Sequence, residues 1–164
     1  MGQDDTKHNL LFISKYPEII HEFTDAMKDR DIEIETAING IEAAAKIKKK
    51  NYDIVITGLS LEGYNGEQII TYLNKTAPST VCIIYTTTIS SAQLHFFINE
   101  RNVFRVFLRP VDFRGAFWEA LEEAYEYHAV QVKNEEDTGA RRQEQEKQAV
   151  SYTHLRAHET SAHL

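Results

Sequence analysis

DIVITGLSLEGYNG, residues 53–66, combines a strand pattern, a glycine-turned loop and the start of a helical pattern. Residues 54–56 form a continuous apolar run of β-branched side chains, which is typical of a strand covered on both faces. Gly63 and Gly66 then turn the loop. Since open α/β sheets bind ligands at the carboxyl ends of their strands, we expect the functional edge of the sheet at this loop.

Length and composition favour one domain followed by a tail. The chain has 164 residues, of which 42% are hydrophobic, enough for a core. Its formal net charge of −7 argues against nucleic-acid binding through this domain, because phosphate contacts need a cationic surface. No segment approaches the roughly 20 apolar residues that span a bilayer, and the polar N-terminus is unlike a signal peptide. We therefore expect a cytoplasmic protein. Cys82 lies in an apolar run, which predicts a buried structural thiol.

Five strand patterns alternate with amphipathic helical patterns along the chain. The second strand pattern alternates apolar and acidic residues, so it fits an edge of the sheet. Alternating strands and helices imply a parallel sheet with helices on both faces. We predict an α/β fold of the flavodoxin-like (βα)5 type, a three-layer sandwich with a parallel five-stranded sheet in the order 2-1-3-4-5. The predicted strands are 10–13, 32–37, 52–57, 81–85 and 103–108, and the last helix runs from Phe113 to about Val132.

Composition divides the chain into four segments. Residues 1–8 are predicted to be disordered, and residues 9–132 to form the domain. Residues 133–149 are rich in charged and amide side chains, which predicts a solvated linker or a continuation of the last helix. Residues 150–164 resemble translated read-through of a sequencing adapter, so we expect no native structure there and a truncated reading frame.

Residues of about 8 to 130 resemble a response-regulator receiver domain, the module that accepts a phosphoryl group from a histidine kinase. Residues 53–66 resemble the third strand and following loop of that family. The sequence Phe-Leu-Arg-Pro at 107–110 resembles its fifth strand and the step from a basic residue to proline. The resemblance covers nearly the whole domain, and it implies a cis peptide bond before Pro110.

The same resemblance implies that the phosphorylation chemistry is missing. Gly58 replaces the aspartate that accepts the phosphoryl group in the family, and glycine has no nucleophile. Ser14 and Lys15 replace the two acidic residues that hold Mg²⁺, a cation that prefers carboxylate oxygens. Arg109 replaces the lysine before the proline, and the hydroxyl of the fourth strand survives as Thr86 or the next threonine. We therefore expect no Mg²⁺ cofactor and no enzymatic activity.

Three interpretations of this degenerate pocket stay open. The pocket is an inert remnant, it is fixed in one structural state by Lys15 and Arg109, or it senses an anion. The two cations would repel each other by about 1–4 kcal/mol at a separation of about 4 Å. They would therefore splay apart, pair with Glu62 or bind an anion.

Receiver domains contact partners through their fourth helix, fifth strand and fifth helix, so the resemblance implies an interaction face there. Aromatic and arginine side chains are enriched in interfaces, although we expect at least half of the aromatic residues to lie in the core. One of the adjacent Phe96 and Phe97 is expected to face outward. A protein partner or self-association is expected through the candidate face, which comprises Phe96, Phe97, Arg101, Arg105 and Phe107.

Together these patterns predict a degenerate receiver domain in bacterial-type two-component or phosphorelay signalling, acting by protein–protein interaction without aspartyl phosphorylation. One alternative is the sensor module of a truncated signalling enzyme, such as a cyclic-dinucleotide enzyme or a kinase. Another is the receiver of a DNA-binding response regulator whose output domain is missing. The uninterrupted reading frame beyond Ala149 would distinguish these alternatives.

Overall fold

A five-stranded parallel sheet forms the centre of the computed structural model, which describes residues 7–147. The sheet order is second, first, third, fourth and fifth strand, which confirms the predicted flavodoxin-like order. The polar second strand lies at an edge, as its alternating pattern indicates. The strands are β1 His8–Ile13, β2 Ile32–Ala37, β3 Ile54–Thr57, β4 Val81–Thr86 and β5 Val103–Leu108.

Five helices alternate with these strands in the described part of the chain. Three of them begin at capping residues that the sequence supplies: the side chains of Asn39, Asn65 and Ser90 each accept a backbone N–H of the first turn. None of the helices between residues 7 and 147 combines the length and apolarity needed to cross a bilayer. The helices are α1 Pro17–Met27, α2 Gly40–Lys49, α3 Gly66–Thr76, α4 Ser91–Glu100 and α5 Ala116–Lys147.

The core is divided by the sheet into two layers, because successive side chains of a strand point to opposite faces. Leu10 and Phe12 of β1 belong to the layer that includes Phe23 of α1 and Phe117 of α5. Leu11 and Ile13 of β1 belong to the other layer, which is formed with α2, α3 and α4. Phe12 and Phe23 stack with ring centroids 4.2 Å apart. Each such fully buried side chain contributes about 1.5–3 kcal/mol to folding.

Two glycines allow the loop after β3 to pack tightly on its neighbours. A Cβ on Gly66 would lie 2.2 Å from the carbonyl oxygen of Gly58, so only glycine fits at the start of α3. Gly63 has a φ of +82°, a conformation that side chains other than glycine rarely adopt. These contacts hold the loop against the carboxyl ends of the strands, where the candidate site lies.

The ends of the domain differ from the sequence prediction. β1 begins at His8, inside the segment predicted to be disordered. α5 begins at Ala116, after a turn closed by a hydrogen bond from the Gly115 N–H to the Asp112 carbonyl. The predicted adapter-derived segment at 150–164 lies outside the described residues.

α5 also continues beyond the predicted helix end, as far as Lys147. It is 32 residues long and passes through most of the segment that was predicted to be a linker or a continued helix. Glu, Gln, Lys, Arg and Ala dominate that segment, and all five have high helix propensity. The chain divides into one compact unit ending at His128 and a second beginning at Ala129, so this continuation belongs to the second unit.

Candidate functional site

The carboxyl ends of β1, β3, β4 and β5 surround a small cavity of about 150 Å³. The register places Ile13 beside Thr57, and Thr57 beside Ile84, so the strands end at similar levels. All five residues of the predicted degenerate pocket come together here. The cavity is lined by Ser14, Lys15, Tyr16, Gly58, Leu59, Ser60, Tyr85, Thr86, Thr87 and Arg109.

Gly58 occupies the position directly after β3, on the floor of this cavity. Its backbone N–H donates to the Ile13 carbonyl oxygen over 3.1 Å, which continues the pairing of β3 with β1. A Cβ added to Gly58 would meet nothing closer than the Tyr85 carbonyl oxygen at 3.7 Å. The backbone therefore leaves room for a side chain, and the glycine is not required by the packing.

Ser14 and Lys15 follow β1 and face the cavity from its other side. Ser14 is buried, and its hydroxyl oxygen accepts the Tyr16 N–H over 3.2 Å. The Lys15 Nζ donates to the Ser60 Oγ over 3.2 Å and lies 5.4 Å from the centroid of the Tyr16 ring. Lys15 is therefore anchored by a neutral hydroxyl and an aromatic face, and it forms no ion pair with a carboxylate among residues 7–137.

Arg109 follows β5 and brings the second cation to the same aromatic ring. Its Cζ lies 4.8 Å from the Tyr16 centroid, within the range of a cation–π contact. Its backbone N–H donates to the Thr86 carbonyl oxygen over 2.8 Å. Burial raises the pKa of Tyr85, and the Arg109 guanidinium offsets only part of that increase. The peptide bond between Arg109 and Pro110 is cis, as the family resemblance implied.

A pairing of the two cations with Glu62 was one of the arrangements that the sequence left open. In the described chain, neither Lys15 nor Arg109 contacts that carboxylate; both contact Tyr16 instead. Tyr16 and Ser60 were missed by the sequence reasoning. The adjacency of Tyr16 to Lys15 was visible, but its contact with Arg109 depends on how β1 and β5 end in space.

The donor set of the cavity does not fit Mg²⁺. The lining residues offer hydroxyl, carbonyl, ammonium and guanidinium groups but no carboxylate, and Mg²⁺ is usually held through one or two carboxylates. Elsewhere in residues 7–147, no three His, Cys, Asp or Glu side chains come together as a metal site. The hydroxyl of Thr86 lies 3.4 Å from the Thr88 carbonyl oxygen, and Thr86 and Thr87 both reach the cavity, so both threonines considered from the sequence lie here.

A family model described as the response regulator receiver domain matches residues 11–115. The chain belongs to this family. No curated protein gives a significant match to the sequence. The receiver fold is also found in many solved structures. The three described next are 18–19% identical to this chain, so they show a similarity of fold and nothing more.

Three of these structures illustrate the range of receiver-containing proteins. A signal receiver domain of an HD domain-containing protein from Pseudomonas fluorescens Pf-5 is 19% identical, with a TM-score of 0.71, and the match covers 76% of this chain and 98% of that one. A CheY-like receiver domain protein from Methanospirillum hungatei JF-1 is 18% identical, with a TM-score of 0.69 and coverages of 76% and 99%. A protein described as adenylate cyclase from Rhodopirellula baltica is 19% identical, with a TM-score of 0.73 and coverages of 81% and 98%.

The candidate interaction face of this receiver is only partly exposed. Phe97 is 2% exposed and lies in the same core layer as α2 and α3, so it does not belong to a surface, which corrects its inclusion in the predicted face. Phe96 is half-buried and lies under the guanidinium of Arg101, 4.7 Å from its ring centroid. Phe107 is also half-buried, with its ring 4.6 Å from that of Phe117.

Arg105 and several aliphatic side chains make up the exposed part of this receiver face. The Arg105 guanidinium pairs with the Glu123 carboxylate of α5 over 2.6 Å, at the surface. Leu94 and Ile98 are one helical turn apart on α4, and they are 40% and 39% exposed. Leu108 at the end of β5 is 49% exposed. The exposed apolar surface was not singled out from the sequence, because exposure depends on helix orientation.

At the opposite end of the receiver sheet, Asp53 ties α5 to the strands. Its carboxylate accepts hydrogen bonds from the Nε2 of His128 over 3.1 Å and from the Asn9 backbone N–H over 3.2 Å. The carboxylate also lies 3.6 Å from the Nδ1 of His8. Burial alone would raise the pKa of Asp53, but these hydrogen bonds and the two histidines together lower it below its ordinary value. The Nδ1 of His128 lies 2.9 Å from the Ser79 carbonyl oxygen.

Proposed function

We propose that this receiver domain acts by protein–protein interaction without aspartyl phosphorylation, as a degenerate receiver in cytoplasmic two-component or phosphorelay signalling. The single observation that carries the proposal is Gly58 at the floor of the cavity. A phosphoryl group needs a nucleophilic oxygen at that point, and glycine offers only its backbone. No carboxylate of the described chain lines the cavity, so no neighbouring acid substitutes for it.

The loss of the nucleophile is accompanied by the loss of the metal ligands. Ser14 and Lys15 occupy the loop after β1, and an ammonium group repels a divalent cation. The position of the phosphoryl acceptor, Gly58, and the two positions of the metal ligands, Ser14 and Lys15, are therefore all altered in this chain. This agreement supports a receiver that requires no Mg²⁺ and performs no phosphoryl transfer.

The contacts of the replacing residues support a pocket that is held in one arrangement. Lys15 bonds to Ser60 of the loop after β3, and Arg109 connects the end of β5 to Tyr16 at the start of α1. These contacts join three of the segments around the cavity. In this proposal, side-chain contacts fix the state that a phosphoryl group and a metal would otherwise control.

The partner surface in this proposal is the exposed part of the α4–β5–α5 face. Leu94, Ile98 and Leu108 are exposed there, and Arg105 of β5 is the exposed arginine of this face. Apolar side chains rimmed by arginine are characteristic of interfaces. A second copy or another signalling protein is the proposed partner.

Light scattering after size-exclusion chromatography tests self-association. Ile98→Glu should lower the mass of any oligomer, whereas a strict monomer at high concentration would exclude self-association.

The proposal is tested by incubating the full chain with acetyl phosphate and Mg²⁺ and measuring its intact mass. The wild-type chain is expected to gain no phosphoryl group. The triple variant Ser14→Asp, Lys15→Asp, Gly58→Asp restores the missing carboxylates, and the space at Gly58 accommodates the new side chain. An active receiver treated in parallel controls the reagents. A stable phosphoryl group mapped to a carboxylate of the wild-type chain would overturn the proposal.

A second candidate function is a regulatory module of a larger signalling enzyme or a DNA-binding regulator. The similarity to the protein described as adenylate cyclase from Rhodopirellula baltica favours the enzyme version, although at 19% identity it concerns the fold. Both versions keep the same degenerate pocket. Sequencing of the reading frame beyond Ala149 tests them, because it shows whether an enzymatic domain, a DNA-binding domain or neither follows.

A further inference from the structure

We propose that the cavity at the carboxyl edge of the sheet binds a free tetrahedral oxyanion of the phosphate class, with Lys15 and Arg109 as its cationic ligands. This inference rests on the proposed function, because a pocket that carried an aspartyl phosphate would already hold its anion. The anion would bind reversibly and without a metal ion. The anion would thus supply the negative charge that the pocket lacks, without a covalent bond.

The first argument is the charge of the cavity. The Lys15 Nζ and the Arg109 Cζ both lie within 5.4 Å of the Tyr16 ring centroid, so their mutual distance is at most twice that length. Neither forms an ion pair with a carboxylate of residues 7–137, and no acidic residue is among those that line the cavity. Both cations would attract an anion placed in the cavity, and no carboxylate among the lining residues competes for them.

The second argument is the set of neutral donors around the cations. Three residues that carry hydroxyl groups, Ser60, Thr86 and Thr87, line the same cavity, and the Thr86 hydroxyl donates to the Thr88 carbonyl oxygen over 3.4 Å. A hydroxyl can donate to an anion after a small rotation, and hydrogen bonds to charged groups are stronger than neutral ones. Arginine adds a planar fork of N–H donors that matches the oxygen spacing of a phosphate. The Lys15 ammonium group is exposed on a flexible stem, so it can exchange the Ser60 hydroxyl for an anionic oxygen.

The third argument is the size of the cavity. Its volume of about 150 Å³ is well above the roughly 10–15 Å³ that a cavity needs to hold one water molecule. A tetrahedral oxyanion has five heavy atoms. Gly58 lines the cavity without adding a side chain to it, and a Cβ at this position would be in ordinary contact with the Tyr85 carbonyl oxygen at 3.7 Å. The same glycine that removes the covalent acceptor therefore leaves space for a free anion.

The test is a titration of the full chain with inorganic phosphate, followed through the backbone amide resonances at constant ionic strength without Mg²⁺. Saturable shifts are expected at residues 14–16, 58–60 and 85–87. Lys15→Met and Arg109→Gln should each weaken phosphate binding by about tenfold or more, since each removes a charged hydrogen bond. The matched control Lys49→Met removes the same charge from the exposed end of α2 and should change the affinity by less than about twofold.

A fourth variant tests the cavity itself. Gly58→Asp places a carboxylate beside the two cations, and the backbone leaves room for its Cβ. This internal anion should abolish phosphate binding while the domain stays folded, as checked by its thermal unfolding. The Lys15 and Gly58 variants keep the test decisive even where Arg109→Gln unfolds the domain.

The inference is overturned when the wild-type chain shows no saturable shift, or when Lys49→Met weakens binding as much as Lys15→Met does. The first result would leave the cations without an anion, and the second would indicate general surface attraction. These failures differ from a failure of the proposed function. Covalent phosphorylation of the wild-type chain contradicts that function, whereas absence of phosphate binding removes only this inference.

Discussion

Asp53→Asn should destabilise the domain by loosening α5 from the strands, and the effect should depend on pH. The two ring nitrogens of His128 lie 3.1 Å from the Asp53 carboxylate and 2.9 Å from the Ser79 carbonyl oxygen. Both partners are acceptors. A neutral imidazole donates at one nitrogen only, so the doubly protonated ring satisfies both contacts. The substitution removes the negative charge that favours this form but keeps the size of the side chain.

The size of the effect follows from the contacts of the carboxylate. Hydrogen bonds to charged groups contribute about 1.5–3 kcal/mol, and asparagine keeps a neutral acceptor for one of the two donors. The side chains of Asp53 and His128 are 26% and 17% exposed, so water screens part of their attraction. We expect a loss of about 1–2 kcal/mol in the free energy of unfolding near pH 6. For a domain of this size, the midpoint of thermal unfolding should fall by about 3–8 °C.

The sign of the pH dependence follows from the lowered pKa of Asp53. A carboxyl group with a depressed folded pKa contributes stability above its unfolded value of about 3.9, and this contribution is lost as the pH falls through the lower folded value. The difference between the wild type and Asp53→Asn should therefore vanish in acid.

Urea unfolding followed by circular dichroism, repeated between acid and alkaline pH, measures this difference. Asp29→Asn is the matched control, because it makes the same substitution at an exposed position of the turn after α1. An Asp53→Asn variant as stable as the wild type near pH 6 would refute the reasoning. A loss of stability that stays constant across the whole pH range would refute the electrostatic part and leave only packing.

Three further substitutions and one labelling experiment test the packing described above. Gly66→Ala should cost about 1–3 kcal/mol in urea unfolding, because its Cβ would overlap the Gly58 carbonyl oxygen, whereas Gly58→Ala should change stability by less than about 1 kcal/mol. Equal effects would show that the two backbones are not held as described. Cys82 is fully buried, and burial raises its thiol pKa to about 12, so iodoacetamide should label it only at the rate of unfolding; rapid labelling of the native protein would contradict this. Glu123→Gln removes an exposed ion pair with Arg105 and should change the unfolding free energy by less than about 1 kcal/mol, and a larger loss would indicate a partner at this surface.

Much of the fold could be predicted because short-range patterns determine it. The β-branched run at 54–56 predicted β3, which the structure confirms. The alternation of Ile32, Glu33 and Ile34 predicted an edge strand, and β2 lies at an edge of the sheet. The five pocket residues were identified through the family resemblance, and they come together because parallel strands end at one edge of the sheet: Thr86 ends β4, and the other four follow a strand. Strand ends are visible in a sequence wherever an apolar run stops.

The remaining features depend on contacts between distant segments. The pairing of Asp53 with His128 could not be seen from either residue alone. Phe96 and Phe97 are adjacent, and only the orientation of α4 decides that Phe97 is the buried one. The length of α5 was left open because charged residues form solvated linkers and exposed helices equally well.

The outer strand β2 also bears on how the protein behaves at high concentration. One side of this strand has no partner in the sheet, and an unpaired strand can template aggregation with another chain. Glu33 and Glu35 place two carboxylates on it, and Lys50 pairs with both, at 3.5 and 2.7 Å. A second copy that added its own β2 would have to bring like charges together and displace the lysine. The charges of this edge strand therefore contribute to colloidal stability, and acidification should weaken this protection.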